Sequence, residues 1–262
     1  MRETLDLQRY PLETPSSPAY RALVEAGRAA IAERGIFNLH ALIKPDALSR
    51  CVAEVTAGLD AHAYTHSQDH NIYFRTSVDG LHPHHPALRT ARTSNRKICA
   101  DQVPHSIVNA IYRWPPLTAF IADVMDKPAL YTMDDPLACL NVMAYSDGEA
   151  LNWHFDRSEF TTTLLLQAPE AGGAFQYRLG LRTETDPNYD GIGRFLSGED
   201  SACETLTLEP GTLNIFKGVN TAHRVSPVIG DRERIIAVLS YYEKPGVRFS
   251  DEDRIRFYGR AA

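Results

Sequence analysis

The hydrophobic pattern of the chain changes period near Cys139, and that change restricts the possible fold more than any other feature. Before it, apolar residues recur at helical spacing. Ser16-Ser17-Pro18 supplies an N-cap and a first-turn proline, Tyr20, Leu23, Val24 and Ile31 share one stripe, and Gly35 ends the helix. Pro45-Asp46 opens a second helix with Leu48, Val52, Val55 and Leu59 aligned. Ile107, Val108 and Ile111 begin another, which Pro115-Pro116 interrupts before Leu117, Phe120, Ile121 and Val124 resume the stripe. Between these helices, the polar, histidine-rich stretch from His62 to His85 reads as loop or broken structure.

Beyond Cys139 the spacing is that of strands. Leu140 to Tyr145, Phe160 to Leu166, Ala174 to Tyr177 and Arg234 to Tyr242 are dense in apolar, β-branched and aromatic residues. Thr205 to Leu208, the turn Pro210-Gly211 and Thr212 to Phe216 predict a hairpin. The polar, glycine-rich segment from Arg178 to Ala202 is long for a connection and predicts a functional loop, such as a lid. A helical flank followed by some eight antiparallel strands predicts an α+β fold: a double-sheet jelly roll buttressed by N-terminal helices. No linker divides it, so one domain is expected over 1–262. Residues 1–135 form its mainly helical flank and substrate cap, 136–250 the jelly-roll core, and 251–262 a C-terminal tail.

The chemistry rests on residues far apart in the chain. His154 and Asp156 lie two apart, so on a strand they share a face and can chelate one ion. Much later comes His223, and eleven residues on, Arg234. Two imidazoles and a carboxylate occupy one face of an octahedral ferrous ion and leave positions open opposite. Arg234 on the next strand can hold the far carboxylate of 2-oxoglutarate through a paired hydrogen bond. Asn152-Trp153-His154-Phe155-Asp156, Gly172-Gly173, Pro210-Gly211, His223-Arg224-Val225-Ser226-Pro227-Val228 and Arg234 come in an ordered series. In that series the chain from about Cys139 onward resembles the iron(II)/2-oxoglutarate-dependent oxygenases.

More narrowly, the helical first half, Asn152-Trp153-His154-Phe155, and the Leu164-Leu165-Leu166-Gln167 strand with its Gly-Gly-x-Phe are similar to the free-amino-acid halogenases and their hydroxylase relatives. The resemblance implies that His154, Asp156 and His223 bind Fe(II), that Arg234 binds the cosubstrate 2-oxoglutarate, and that O2 is consumed. Tyr145 and Thr163 are candidate second partners of the cosubstrate, since the Arg-x-Ser of some branches is here Arg234-Ile235-Ile236. In those halogenases a glycine or alanine replaces the metal carboxylate and leaves room for chloride. Asp156 retains it, so hydroxylation is expected and halogenation is not.

Composition bounds the rest. A formal net charge of -6 argues against a nucleic-acid surface. Four scattered cysteines read as reduced thiols, and no run approaches the roughly 18 apolar residues of a membrane helix, so a cytoplasmic enzyme acting on a small molecule is expected. Arg75, Arg157 and Arg182 are candidate anchors for a substrate carboxylate, and Trp153 a candidate substrate contact. Arg157, directly after the metal carboxylate where an acid would suit a lysine-like substrate, points to a neutral or anionic one. The histidines His62, His66, His70, His82, His84 and His85 carry no HExxH-like glutamate and predict no second metal site; residues His70 to Arg75 are expected to line the pocket. Two alternatives stand beside the amino-acid hydroxylase. One is the same chemistry on a peptide, protein side chain or nucleoside. The other is a cupin-like protein that binds metal without turnover, against which Arg234 speaks.

Overall fold

The computed structural model describes all of residues 1–262. In chain order the elements are α1 (Pro18–Arg34), β1 (Ile36–Leu39), α2 (Pro45–His62), β2 (Tyr64–His70), β3 (Ala91–Cys99), α3 (Ile107–Tyr112), α4 (Pro115–Val124), β4 (Tyr131–Thr132) and β5 (Leu140–Tyr145). The chain continues through β6 (Leu151–His154), β7 (Thr161–Gln167), β8 (Ala171–Gly172), β9 (Phe175–Arg178), α5 (Tyr189–Leu196), β10 (Glu204–Leu206), β11 (Leu213–Phe216), β12 (Ala222–Val225), β13 (Val228–Ile229), β14 (Arg234–Leu239), β15 (Tyr241–Tyr242) and α6 (Asp251–Tyr258).

Two sheets carry the architecture. The major sheet has the order β1-β11-β7-β14-β5-β3-β2 and the minor sheet β10-β9-β12-β6, and the strands pair antiparallel throughout. This is the jelly roll the pattern predicts, and its interior between the sheets holds the site described below. The helices form where the sequence places them. Ser17 caps α1 by accepting from the Tyr20 amide, Gly35 ends it at φ 69°, and prolines open α2 and α4. Their apolar faces cover the outer side of the major sheet. Val55, Leu59, Val108, Ile111, Leu117, Phe120 and Ile121 join Ile98, Val142, Leu164 and Ile235 in one large core cluster. At about 25 cal/mol per Å² of apolar area removed from water, burial on this scale is the main stabilising term of the fold.

Three expectations change. The stretch from His62 to His85 is not wholly irregular: residues 64–70 form β2, the edge strand of the major sheet, and pair along their length with β3. The Pro210-Gly211 turn does not close a hairpin. β10 pairs with β9 in the minor sheet while β11 pairs with β7 and β1 in the major one, so the turn carries the chain from one sheet to the other. Gly211, at φ 83°, permits this, because a Cβ there would stand 3.0 Å from the Ile43 carbonyl oxygen. The C-terminal tail is helical: Ser250 caps α6 and Gly259 ends it, and Tyr258 packs into the main core.

Candidate metal centre and cosubstrate cavity

β6 and β12 are neighbours in the minor sheet, and their register sets His154 directly opposite His223. A register shift between β6 and β12 lets Leu151 and His154 both face inward while Trp153 turns outward, and the chain just past the end of β6 brings Asp156 back to the side of His154. The result is a tight cluster. The Nε2 atoms of His154 and His223 each lie 3.4 Å from Asp156 Oδ1, and the three ligand atoms fall within 4.8 Å of one another.

Local hydrogen bonds orient all three groups. His154 Nδ1 donates to the Asn152 carbonyl and His223 Nδ1 to the Thr221 carbonyl, each at 2.9 Å. A carbonyl can only accept, so the proton of each neutral ring sits on Nδ1 and the Nε2 lone pair faces the centre. Thr161 Oγ1 donates to Asp156 Oδ2 at 2.5 Å, which leaves Oδ1 for a ligand bond. Burial and the neighbouring His223 push the His154 imidazole below its ordinary pKa. Burial alone would raise the Asp156 carboxyl, but the charges and hydrogen bonds of His223 and His154 hold it well below the usual carboxylate range. Neutral imidazole and ionised carboxylate are the states a divalent metal requires. The donor set of two imidazole nitrogens and one oxygen suits iron(II).

Gly218 closes the centre from behind. Its carbonyl accepts the Asp156 amide at 3.1 Å, and a Cβ at this position would lie 2.0 Å from Asp156 Oδ2. Gly218→Ala is therefore expected to displace the carboxylate and lower iron affinity by about 10- to 100-fold with the fold intact. Metal titration alongside circular dichroism checks this; unchanged affinity would mean that the carboxylate has room to move.

The three ligands open into a cavity of about 250 Å³ between the sheets. This is at the small end of ligand sites, which commonly run from roughly 300 to 1,000 Å³. Arg234 enters it from the first position of β14 and is 3% exposed. Its Nε donates to the Gly173 carbonyl at 2.9 Å, while its Nη1 has no partner within the protein. Burial lowers its pKa, with Tyr145 opposing, yet nothing in the cavity except Asp156 is acidic. A buried guanidinium with a free fork, beside a ferrous ligand set, fits the distal carboxylate of 2-oxoglutarate. Gly173 makes room for it: at φ 58°, a Cβ there would meet Pro169 at 2.8 Å and the Arg234 Cδ at 3.0 Å. Tyr145 and Thr163 also line the cavity, Tyr145 with its ring centre 5.7 Å from the guanidinium carbon. Tyr145 is opposite Arg234 in the β5–β14 ladder.

The four substrate candidates are placed differently. Trp153 is on the outer face, edge-on to Phe195 at 4.8 Å and under the Arg224 guanidinium at 4.9 Å, and does not line the cavity. Arg75 is exposed and reaches Tyr189. Arg157 pairs with Asp253 at 3.2 Å and lies over Phe257. Arg182 stacks 3.8 Å over Phe155 and donates to the Val219 carbonyl. Arg157 and Arg182 border a vestibule outside His154 and Asp156, together with Phe74, Arg256 and Phe257. The Arg178 to Ala202 segment is tied down as a flap. Leu181, Ile192 and Phe195 pack with Ile72, Phe155 and Ala222, and Tyr73 donates to the Pro187 carbonyl at 2.5 Å.

Of the stretch expected to line the pocket, His70 and Phe74 do so; the rest of this wall was missed by sequence reasoning. His66, Gln68 and His70 of β2 and Thr93, Asn95 and Lys97 of β3 face inward. The pairing Asn95↔His66 and Thr93↔Gln68 makes them a continuous polar surface. Residues 92–97 are polar throughout, so no apolar period marks this strand, and the side chains at 93, 95 and 97 are buried all the same.

A family model described as Halogenase D matches residues 18–250. Solved structures similar to the chain include a 2OG-Fe(II) oxygenase family oxidoreductase from Burkholderia pseudomallei, at TM-score 0.53 and 16% identity over 86% of this chain and 92% of that one. The non-haem alpha-ketoglutarate-dependent epimerase SnoN of nogalamycin biosynthesis gives 0.60 and 15% over 84% and 83%. AviO1 from Streptomyces viridochromogenes Tue57 gives 0.57 and 12% over 85% and 96%. At such identities the likeness establishes the fold. No curated protein matches the chain. No helix is long and apolar enough to cross a membrane.

Proposed function

Since this chain belongs to the Halogenase D family, and is a non-haem iron(II), 2-oxoglutarate-dependent oxygenase, we propose that it hydroxylates an unactivated C–H bond of a small, free amino-acid-like substrate. The observation that carries this reading is Asp156. Its Oδ1 fills the third protein position of the centre, 3.4 Å from both imidazoles, where the halogenases that the sequence resembles have glycine or alanine.

Iron(II) with bound 2-oxoglutarate supplies the oxidising chemistry, in which O2 is divided between product and succinate as the C–H becomes C–OH and CO2 leaves. The chain's own contribution is placement. His154, Asp156 and His223 would hold the metal, and Arg234 would bind the far carboxylate of the cosubstrate. Tyr145, held un-ionised with its pKa pushed up to about 12 by burial, stays a neutral wall beside that guanidinium. Leu151, Phe175, Leu208, Phe216, Val225 and Ile236 keep bulk water from the reacting carbon.

Succinate release and product mass, measured across the twenty amino acids, test the proposal. A mass gain of one oxygen on one or a few free amino acids is expected. Turnover confined to peptides or nucleosides, or a chlorinated main product in chloride buffer, would overturn it.

A further inference from the structure

The polar wall contains a second buried cation that the chemistry above does not use. Lys97 sits on β3, is 4% exposed and lines the cavity. No carboxylate pairs with it. Two titratable groups couple to it, both uncharged: the Cys99 thiol, whose pKa burial pushes up to about 11, and the His66 imidazole, which burial and the Lys97 charge lower to about 4. The only close aromatic is Tyr258, with its ring centre 5.9 Å from Nζ. Burial lowers the Lys97 pKa to about 8, so the ammonium is still charged at neutral pH. Beside it on the same face is Asn95, 2% exposed, whose Oδ1 has no partner within the protein.

Position separates Lys97 from the cosubstrate anchor. Lys97 is level with Met143, and Met143 with Ile236, whereas Arg234 is level with Tyr145. The two cations thus both line one cavity from the same sheet, two strands apart and one side-chain step along, and Lys97 also borders an adjoining hollow with Asn141 and Tyr258. 2-Oxoglutarate bound to a metal presents one distal carboxylate, and Arg234 accounts for it. A lone buried cation is costly unless an anion meets it.

We propose that Lys97 is the anchor for a carboxylate of the primary substrate, with Asn95 beside it as a neutral hydrogen-bonding partner. This rests on the oxygenase reading and narrows its substrate to an acid. A single ammonium among neutral amides and imidazoles balances one negative charge, which favours a carboxylate over a phosphate dianion. The anchor belongs to the inner wall, not to Arg75, Arg157 or Arg182 at the surface.

The test compares wild type with Lys97→Met in the full chain, loaded with iron(II) and 2-oxoglutarate without oxygen. Calorimetry titrates free amino acids and other small carboxylic acids against their carboxamides. Wild type is expected to prefer an acid over its amide by at least about 30-fold, the variant to lose that preference, and 2-oxoglutarate affinity to stay unchanged. Ligand-free Lys97→Met is expected to melt above wild type, because a buried unpaired charge is gone. Three results each overturn the proposal: weakened 2-oxoglutarate binding, which would give the lysine to the cosubstrate; amides bound as well as acids; or a ligand-free variant that melts lower, which would make the lysine structural. Failure of the amino-acid reading looks different. In that case amino acids leave succinate release at background, while the acid–amide pairs and the melting point still decide the role of Lys97.

Discussion

Asp156→Gly is expected to abolish hydroxylation and to lower iron affinity by more than about 100-fold, beyond what loss of an outer partner of a ligand costs. The argument is geometric. Asp156 Oδ1 is the third donor, 3.4 Å from each Nε2, and without it two imidazoles remain on one edge of the centre. The backbone tolerates the change, since the Asp156 amide still donates to the Gly218 carbonyl and β6 keeps its ladder with β12. Thr161 loses only its acceptor. The fold therefore survives, and the loss is chemical. Iron content after anaerobic loading, product mass and the melting curve check this together. Hydroxylation retained within about tenfold of wild type, or iron affinity lowered by less than about tenfold, would show that Asp156 is not a metal ligand. In chloride buffer the same variant carries the ligand set of the halogenases that the sequence resembles, so any new product should be examined for chlorine.

The parts of this molecule that sequence reveals are those where local chemistry and global fold agree. Ser17, Gly35, Pro45 and Pro115 act where they stand, because caps and first-turn prolines depend on a few neighbouring backbone groups. The metal ligands are legible for a related reason: a two-residue spacing in extended chain keeps a shared side even though β6 ends at His154, and the Asp156 amide is held by the Gly218 carbonyl. The inner wall is different. Thr93, Asn95 and Lys97 bury polar groups on the cavity face of a strand whose residues 92–97 carry no apolar side chain, so no hydrophobic period announces it. The Pro210-Gly211 turn fails for another reason. Its flanking strands have the right lengths for a hairpin, and nothing local distinguishes pairing with each other from pairing with β9 and β7. Trp153 shows the limit of reading a motif by proximity. One residue from a metal ligand, it faces the other way, as strand alternation requires.

Arg234→Met is expected to raise the KM for 2-oxoglutarate by about one and a half to three and a half orders of magnitude, corresponding to the roughly 2–5 kcal/mol lost when one partner of a buried charge pair is truncated. Its effect on the ligand-free protein should have the opposite sign. Arg234 is 3% exposed, bonds only the Gly173 carbonyl through Nε, and keeps Nη1 unpartnered, so the resting protein carries the desolvation cost of a charge with no counterion. An unbranched apolar side chain of similar reach removes that cost, and the melting temperature without ligand should rise. Adding 2-oxoglutarate and a redox-inert divalent metal should then stabilise wild type strongly and the variant weakly, because ligand-induced stabilisation follows affinity. Arg234→Lys should fall between the two: an ammonium supplies the charge but not the planar fork, and it cannot satisfy the Gly173 carbonyl and a carboxylate in the same geometry. A guanidinium serving only the fold would reverse this pattern, with Arg234→Met melting lower than wild type and binding 2-oxoglutarate normally once folded. Saturation kinetics in 2-oxoglutarate and paired melting curves, with and without it, separate the two cases.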